Sequence, residues 1–211
     1  MTPERTKKLK LASQRRQNNL TVILENVHDP HNIGAVLRTC DSVGIKEIFV
    51  LYTDPRLQTS QLKINKRTSS GARRWVDVHL FSDPEACFSR VRDQYKYIFS
   101  THLSEDAKSL YELDLSDSVA LLFGNERDGL TDISLSYSDG NFIIPQMGLV
   151  QSLNISVACA VCLYEAFRQR DRNGMYTESL PMSIDQQQEL FGVFKERQLK
   201  RDKGSFTQLI K

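Results

Sequence analysis

Three short polar segments carry residue types from which a site could be assembled. Thr101-His102 follows the apolar run Tyr97 to Ser100, Gly124-Asn125-Glu126-Arg127-Asp128-Gly129 follows Val119 to Phe123, and Pro145-Gln146-Met147-Gly148 follows Asn141 to Ile144. Small, glycine-flanked turns let backbone N–H and C=O groups approach a flat ligand closely, and Glu126 adds a carboxylate for a polar edge. Other chemistries lack their residues. His28 and His31 flank Asp29-Pro30 with no third ligand, and HExxH is absent, so no metal is expected. Cys159 and Cys162 form a lone CxxC among small apolar residues, which reads, with Cys40 and Cys87, as buried thiols rather than a zinc or redox pair. The chain has no GxxxxGKS/T, no GxGxxG after its first apolar run and no GxSxG to activate Ser152. A P-loop, a Rossmann-type cofactor site and a hydrolase serine are therefore unsupported.

The elements that must hold these turns alternate between short apolar runs and helical patterns, which predicts an α/β domain with a parallel sheet. Strands are expected at Leu20 to Leu24, Glu47 to Tyr52, Val76 to Phe81, Tyr97 to Ser100, Val119 to Phe123 and Asn141 to Ile144. Their continuous apolar character suits strands covered on both faces. A helix carrying Ile33, Val36, Leu37 and Cys40 ends at Gly44, and another opens at Ser82-Asp83-Pro84-Glu85 and runs to about Gln94. Leu153 to Phe167 reads as a long apolar helix with a basic tail, and Ile184 to Lys200 as an amphipathic one. Thr101 to Asp117 reads mostly as loop. In open parallel sheets the ligand crevice lies beyond the carboxyl ends of the strands, which is where all three polar turns fall.

At 211 residues the chain has room for one core with appendages, and no apolar run approaches the roughly 18 residues of a membrane span. A soluble, cytoplasmic protein is expected. The net charge of +2 hides an asymmetry: residues 1–20 carry +5 and residues 195–211 carry +4, leaving −7 between them. Within that acidic body, Arg56, Lys63, Lys66, Arg67, Arg73 and Arg74 run without an acid. Three basic blocks on an acidic body suggest a polyanion gripped locally. Trp75, beside Arg73 and Arg74, suits RNA stacking but more often marks a core.

Three segments, taken together, resemble one family. Asn32-Ile33-Gly34-Ala35-Val36-Leu37-Arg38-Thr39, then Leu122-Phe123-Gly124-Asn125-Glu126-Arg127-Asp128-Gly129-Leu130, then Ile144-Pro145-Gln146-Met147-Gly148-Leu149-Val150-Gln151-Ser152-Leu153-Asn154-Ile155-Ser156-Val157-Ala158 look like the three motifs of the SpoU/TrmH branch of the SPOUT RNA methyltransferases. The likeness spans roughly Leu20 to Tyr176. Two positions depart from the usual pattern, Gln146 where an apolar residue is common and Gly34 where Ser or Ala is.

The resemblance implies a SPOUT-type α/β domain at residues 20–170 with a C-terminal deep trefoil knot, a basic helical extension at 1–19 and a helical extension at 171–211. It implies a homodimer built on the Leu153 to Phe167 helix and residues near the first motif, and S-adenosylmethionine held, largely through backbone groups, by Thr101, Gly124, Ile144, Met147, Ser152 and Leu153. The implied activity is methyl transfer to a ribose 2′-hydroxyl of tRNA, at guanosine 18 of the D-loop, with Arg38, Asn32, Glu126, Ser152 and Asn154 as the catalytic set. A guanidinium, with a pKa above about 12, is a poor base, so Arg38 is expected to bind phosphate and ribose. Lys8, Arg15, Arg16, Arg168 and Arg170 are the expected tRNA contacts. Methylation of ribosomal RNA or of the tRNA wobble nucleotide, and an inactive RNA-binding relative, are the alternatives. The nineteen residues ahead of the first strand are expected to be too few for the separate RNA-binding domain common in the ribosomal-RNA enzymes.

Overall fold

The computed structural model describes residues 1–57, 69, 71–150, 152–177 and 180–200. Lys63, Lys66 and Arg67 of the central basic block, Gln151 of the third motif and residues 201–211 of the C-terminal extension lie outside them.

Seven parallel strands form one sheet: β1 (Leu20–Glu25), β2 (Glu47–Leu51), β3 (Asp77–Phe81), β4 (Tyr97–Thr101), β5 (Lys108–Ser109), β6 (Val119–Phe123) and β7 (Gly140–Ile143), in the order β3-β2-β1-β6-β4-β7-β5. The three central apolar runs, β1, β2 and β6, are buried at every position. Alternation then divides them between two cores. Leu20, Val22 and Leu24 face one side with Val119, Leu121 and Phe123; Ile23 faces the other with Ala120 and Leu122.

The first core is closed by α2 (Pro30–Ser42) and α5 (Ile155–Arg172), which pack on each other and bury Cys40, Cys159 and Cys162. The second is closed by α3 (Pro84–Arg92), through Cys87, Phe88 and Val91. All four cysteines are free and buried, and burial pushes their thiols up, Cys87 to about 12, so none is a ready thiolate. A short helix, α4 (Asp132–Ser136), capped by Thr131, separates β6 from β7.

The two ends of the chain meet. Helix α1 (Pro3–Gln14) lies along α6 (Ile184–Leu199), and Leu9, Met182, Leu190 and Phe194 form a third small core. Trp75 packs edge-on against Phe194 at 5.3 Å, with the Arg5 and Arg74 guanidiniums over its ring, so it belongs to that core. The chain turns from α2 into β2 through Gly44, at φ +84, where a Cβ would sit 2.7 Å from the Arg15 carbonyl oxygen.

Several boundaries shift from expectation for local reasons. Helix α5 begins at Ile155 because Asn154 caps it, and it continues through the basic tail to Arg172. The region 101–117 is not all loop: it contains β5, paired with β7, and a 3-10 turn at Leu110–Glu112 with a Ser109/Glu112 capping box.

Candidate active site

Strands β6, β4 and β7 are neighbours, so the turns after them converge at one edge of the sheet. Together they wall a cavity of about 590 Å³, lined by Thr101 and His102 after β4, Phe123, Gly124 and Glu126 after β6, and Phe142, Ile144, Ser152 and Leu153 after β7. A larger cleft, about 860 Å³, lies at the opposite ends of the strands, against Lys46, Glu47 and Asp77. It contains none of the candidate residues, and the carboxyl-end cavity is the one the parallel topology favours.

The turn from Gly124 to Gly129 is shaped by its backbone. Asn125 and Gly129 exchange N–H to C=O bonds of 3.2 and 3.0 Å, and the Asn125 side chain accepts from the Arg127 and Asp128 N–H groups. Only glycine fits at 124: a Cβ there would lie 2.3 Å from the carbonyl carbon and oxygen of Gly129. Gly129 itself has φ +71, a left-handed conformation that glycine adopts without cost. The result is a tight turn with Glu126 at its tip.

That tip meets two helix starts. Pro30 opens α2 under an Asp29 cap, placing Asn32 in the first turn, and Asn154 caps α5 by accepting the Ser156 N–H at 2.9 Å. The Glu126 carboxylate oxygen Oε1 accepts from Asn32 Nδ2 at 2.9 Å, from Asn154 Nδ2 at 2.8 Å and from the Ile155 N–H at 3.3 Å. Asn154 Nδ2 also donates to Asn32 Oδ1 at 3.2 Å. A carboxylate held between two helix N-termini is electrostatically favoured. The cluster forms a polar rim on a cavity whose floor is apolar.

Behind the rim stands a residue that the sequence reading passed over. Glu25, wholly buried at the end of β1, accepts from the Thr131 N–H at 3.0 Å and from the hydroxyls of Thr131 and Ser134, each at 2.7 Å. It braces the start of α4 against the sheet. A glutamate closing an otherwise apolar strand, on the edge where ligands bind, was its sequence signal.

The structure brings together Asn32, Glu126 and Asn154, and sets Thr101, Gly124, Ile144, Ser152 and Leu153 around one cavity. Met147 is absent from the lining, and its side chain, 94% exposed, stands out in solvent on the turn after β7, which leaves only its backbone to meet a ligand there. Arg38 is not in the cluster of its own chain. It lies six residues beyond Asn32 on the exposed side of α2, opposite Ile33, Val36 and Leu37, about 9 Å further along the axis.

The basic residues divide. Lys8 and Arg15 are exposed, and their seven-residue separation sets them on one side of α1 and its capping turn, two turns apart. Arg168 is half-exposed and bonded to Glu165 at 2.6 and 2.8 Å. Arg16 and Arg170 are corrections, since neither can touch an RNA from where it sits. Arg16, 2% exposed, pairs with Asp41, donates to the Ile45 carbonyl at 2.8 Å and stacks on Phe194. Arg170, fully buried, donates to the carbonyls of Leu115, Asn19 and Asp117 and to the side chains of Gln17 and Asn19. Burial lowers its pKa to about 10, still charged at neutral pH.

Among the described residues no helix is long and apolar enough to cross a membrane, and no group of three His, Cys, Asp or Glu side chains could hold a metal.

The chain is similar over most of its length to known proteins. A tRNA (guanosine(18)-2′-O)-methyltransferase of Thermus thermophilus is 41% identical over 175 residues, covering 83% of this chain and 88% of its own. The crystal structure of the Aquifex aeolicus TrmH/SpoU tRNA modifying enzyme superposes with a TM-score of 0.81 at 31% identity, covering 93% of this chain and 97% of that one. An AdoMet-bound rRNA methyltransferase from Sinorhizobium meliloti superposes with a TM-score of 0.62 at 29% identity, over 75% of this chain and 59% of that one. The SpoU rRNA Methylase family model matches residues 19–164, which include β1, β4, β6, β7 and the Asn32 and Asn154 side chains that bond Glu126; the chain belongs to the SpoU methylase family.

Proposed function

We propose that this chain transfers a methyl group from S-adenosylmethionine to the ribose 2′-hydroxyl of guanosine 18 in tRNA, as a cytoplasmic homodimer whose C-terminal segment carries the threaded knot of its fold family. The observation that carries this reading is the cavity at the carboxyl ends of β4, β6 and β7, rimmed by the Asn32, Glu126 and Asn154 cluster. Its volume lies in the range of small-molecule sites, and its wall of Phe123, Phe142, Ile144, Leu153, Ile155 and Ala158 suits a flat base recognised by backbone groups. S-adenosylmethionine, when bound, supplies an electrophilic sulfonium methyl.

The chain's own residues supply position and charge. Glu126, fixed from two sides by amides, offers its second oxygen toward a ribose hydroxyl, and Ser152, on the cavity wall, offers a hydroxyl partner. Alignment of that hydroxyl is most of what such a transfer needs. Arg38, exposed and without a hydrogen-bond or ion-pair partner among the described residues, is suited to a phosphate and ribose of the RNA. Because it faces away from its own cluster, the cavity it serves is that of a second copy. The outward side chains Val157 and Tyr164 of α5 suit the interface of such a dimer. Lys8 and Arg15 on the N-terminal extension, with Arg168, grip the tRNA backbone.

The test is incorporation of label from methyl-labelled S-adenosylmethionine into an unmodified tRNA transcript and into the same transcript carrying 2′-deoxyguanosine at position 18. Label in the first alone is expected. Equal label in both overturns the assignment of the acceptor hydroxyl.

A further inference from the structure

The cavity is short of positive charge. S-adenosylmethionine bears a carboxylate at its amino-acid end, and an anion entering a partly desolvated site needs a donor or a counter-charge there. Neither lysine nor arginine lines the cavity; its ionisable side chains are Glu126 and His102. Glu126 has the wrong sign and repels a second carboxylate. Most other polar side chains on the wall are engaged: the Thr101 hydroxyl donates to the Leu122 carbonyl at 3.2 Å, and Asn125 is held within its own turn. Gln146 and Ser152 are neutral and exposed.

His102 is different. It follows β4 directly, is half-buried on the cavity wall between Thr101 and Leu103, and has no hydrogen-bond or ion-pair partner among the described residues. An imidazole donates from one ring nitrogen when neutral and from both when protonated, so it can hold a carboxylate in either state. We infer that His102 binds the carboxylate of the cofactor's amino-acid end, and so orients the aminobutyrate arm within the cavity. This rests on the cofactor reading above and deepens it. His102 is thereby a binding residue for the cofactor, outside the Asn32, Glu126 and Asn154 cluster.

The test is calorimetric titration of the full-length wild type, His102→Ala and His102→Gln with two ligands: S-adenosylmethionine and its decarboxylated analogue, which keeps the sulfonium and the ammonium. Loss of a charge-assisted bond at a half-exposed site should weaken S-adenosylmethionine about tenfold in His102→Ala. The decarboxylated analogue should change by less than about twofold, since it never made the bond. His102→Gln, which keeps a donor without the charge, should fall between. Equal weakening of both ligands, or no weakening of either, overturns the role of His102. Failure of the wild type to bind either ligand overturns the cofactor reading itself, and the inference with it.

Discussion

Asn154 does two jobs with the two ends of one amide, and the variants Asn154→Ser and Asn154→Asp separate them. Its Oδ1 caps α5 at the Ser156 N–H, 2.9 Å away, while its Nδ2 donates to Glu126 at 2.8 Å and to Asn32 at 3.2 Å. Serine is as good a cap, so Asn154→Ser should lose the two donated bonds alone, about 1 to 2 kcal/mol at this exposed site. Aspartate keeps the cap but sets a second carboxylate about 3 Å from Glu126, where two unit charges repel by ~1.4 kcal/mol even in a water-like dielectric. A negative charge at a helix N-terminus returns about 0.5 kcal/mol of that. Asn154→Asp should therefore unfold about 1 kcal/mol more readily than Asn154→Ser at pH 7.5, read by urea denaturation. It should also lose more kcat/KM, because Glu126 is pushed off the rim rather than merely released. The sign with pH follows. Repulsion raises the introduced carboxyl above its unfolded value of about 3.9, so the extra penalty is present above the raised pKa and is relieved as pH falls through it. The two variants should converge toward pH 4. An Asn154→Asp protein as stable and active at pH 7.5 as Asn154→Ser would refute the placement of Glu126.

Four further outcomes are expected. Gly124→Ala should destabilise the fold and abolish cofactor binding in calorimetry, because its Cβ meets backbone at 2.3 Å, whereas Gly129→Ala, which meets no atom, should cost only about 1 kcal/mol for its positive φ. Arg170→Met should cost about 3 kcal/mol or more in urea unfolding, as it strips donors from one buried and two part-buried carbonyls, while leaving the salt slope of tRNA affinity unchanged. Neutralising Lys8 and Arg15 together should reduce that slope by about 1.5, measured by filter binding across salt concentrations, with Arg168 adding less because Glu165 already holds it. At Glu47, burial pushes the carboxyl up, but the His79 bond of 2.6 Å and its charge outweigh burial and hold the carboxyl below its usual range. Its stabilisation is present above pH 4.5 and is lost as pH falls through the depressed folded value, so His79→Asn should flatten the acid limb of a stability profile.

The strands were legible because β1, β2 and β6 are mostly apolar and buried at every position, as suits strands covered on both faces; only Thr21, Glu25 and Glu47 interrupt them. The buried thiols were legible from the small apolar surroundings of Cys159 and Cys162. Helix α4 was not, since five residues give no helical period, and its start depends on a Thr131 cap whose partner, Glu25, is far away in sequence. The site turns were located by what precedes them; their meeting depends on the crossed strand order β6-β4-β7, which periodicity does not carry. Arg16 and Arg170 misled because arginine is ordinarily a surface residue. For Arg170 the contrary signal was present: Cys159, Cys162, Leu163, Ala166 and Arg170 continue one buried stripe along α5 at helical spacing. Met147 sits in a motif, but a motif fixes the turn, and the direction of each side chain on it depends on the backbone.

The function proposed for the site turns on which atom of the tRNA receives the methyl group. Nuclease digestion and mass spectrometry of a tRNA transcript methylated by this protein map that atom directly. One new nucleoside, 2′-O-methylguanosine, is expected at position 18, together with its loss in Glu126→Gln. A methyl group on a base, or on the ribose of the anticodon wobble nucleotide, would contradict the proposed function.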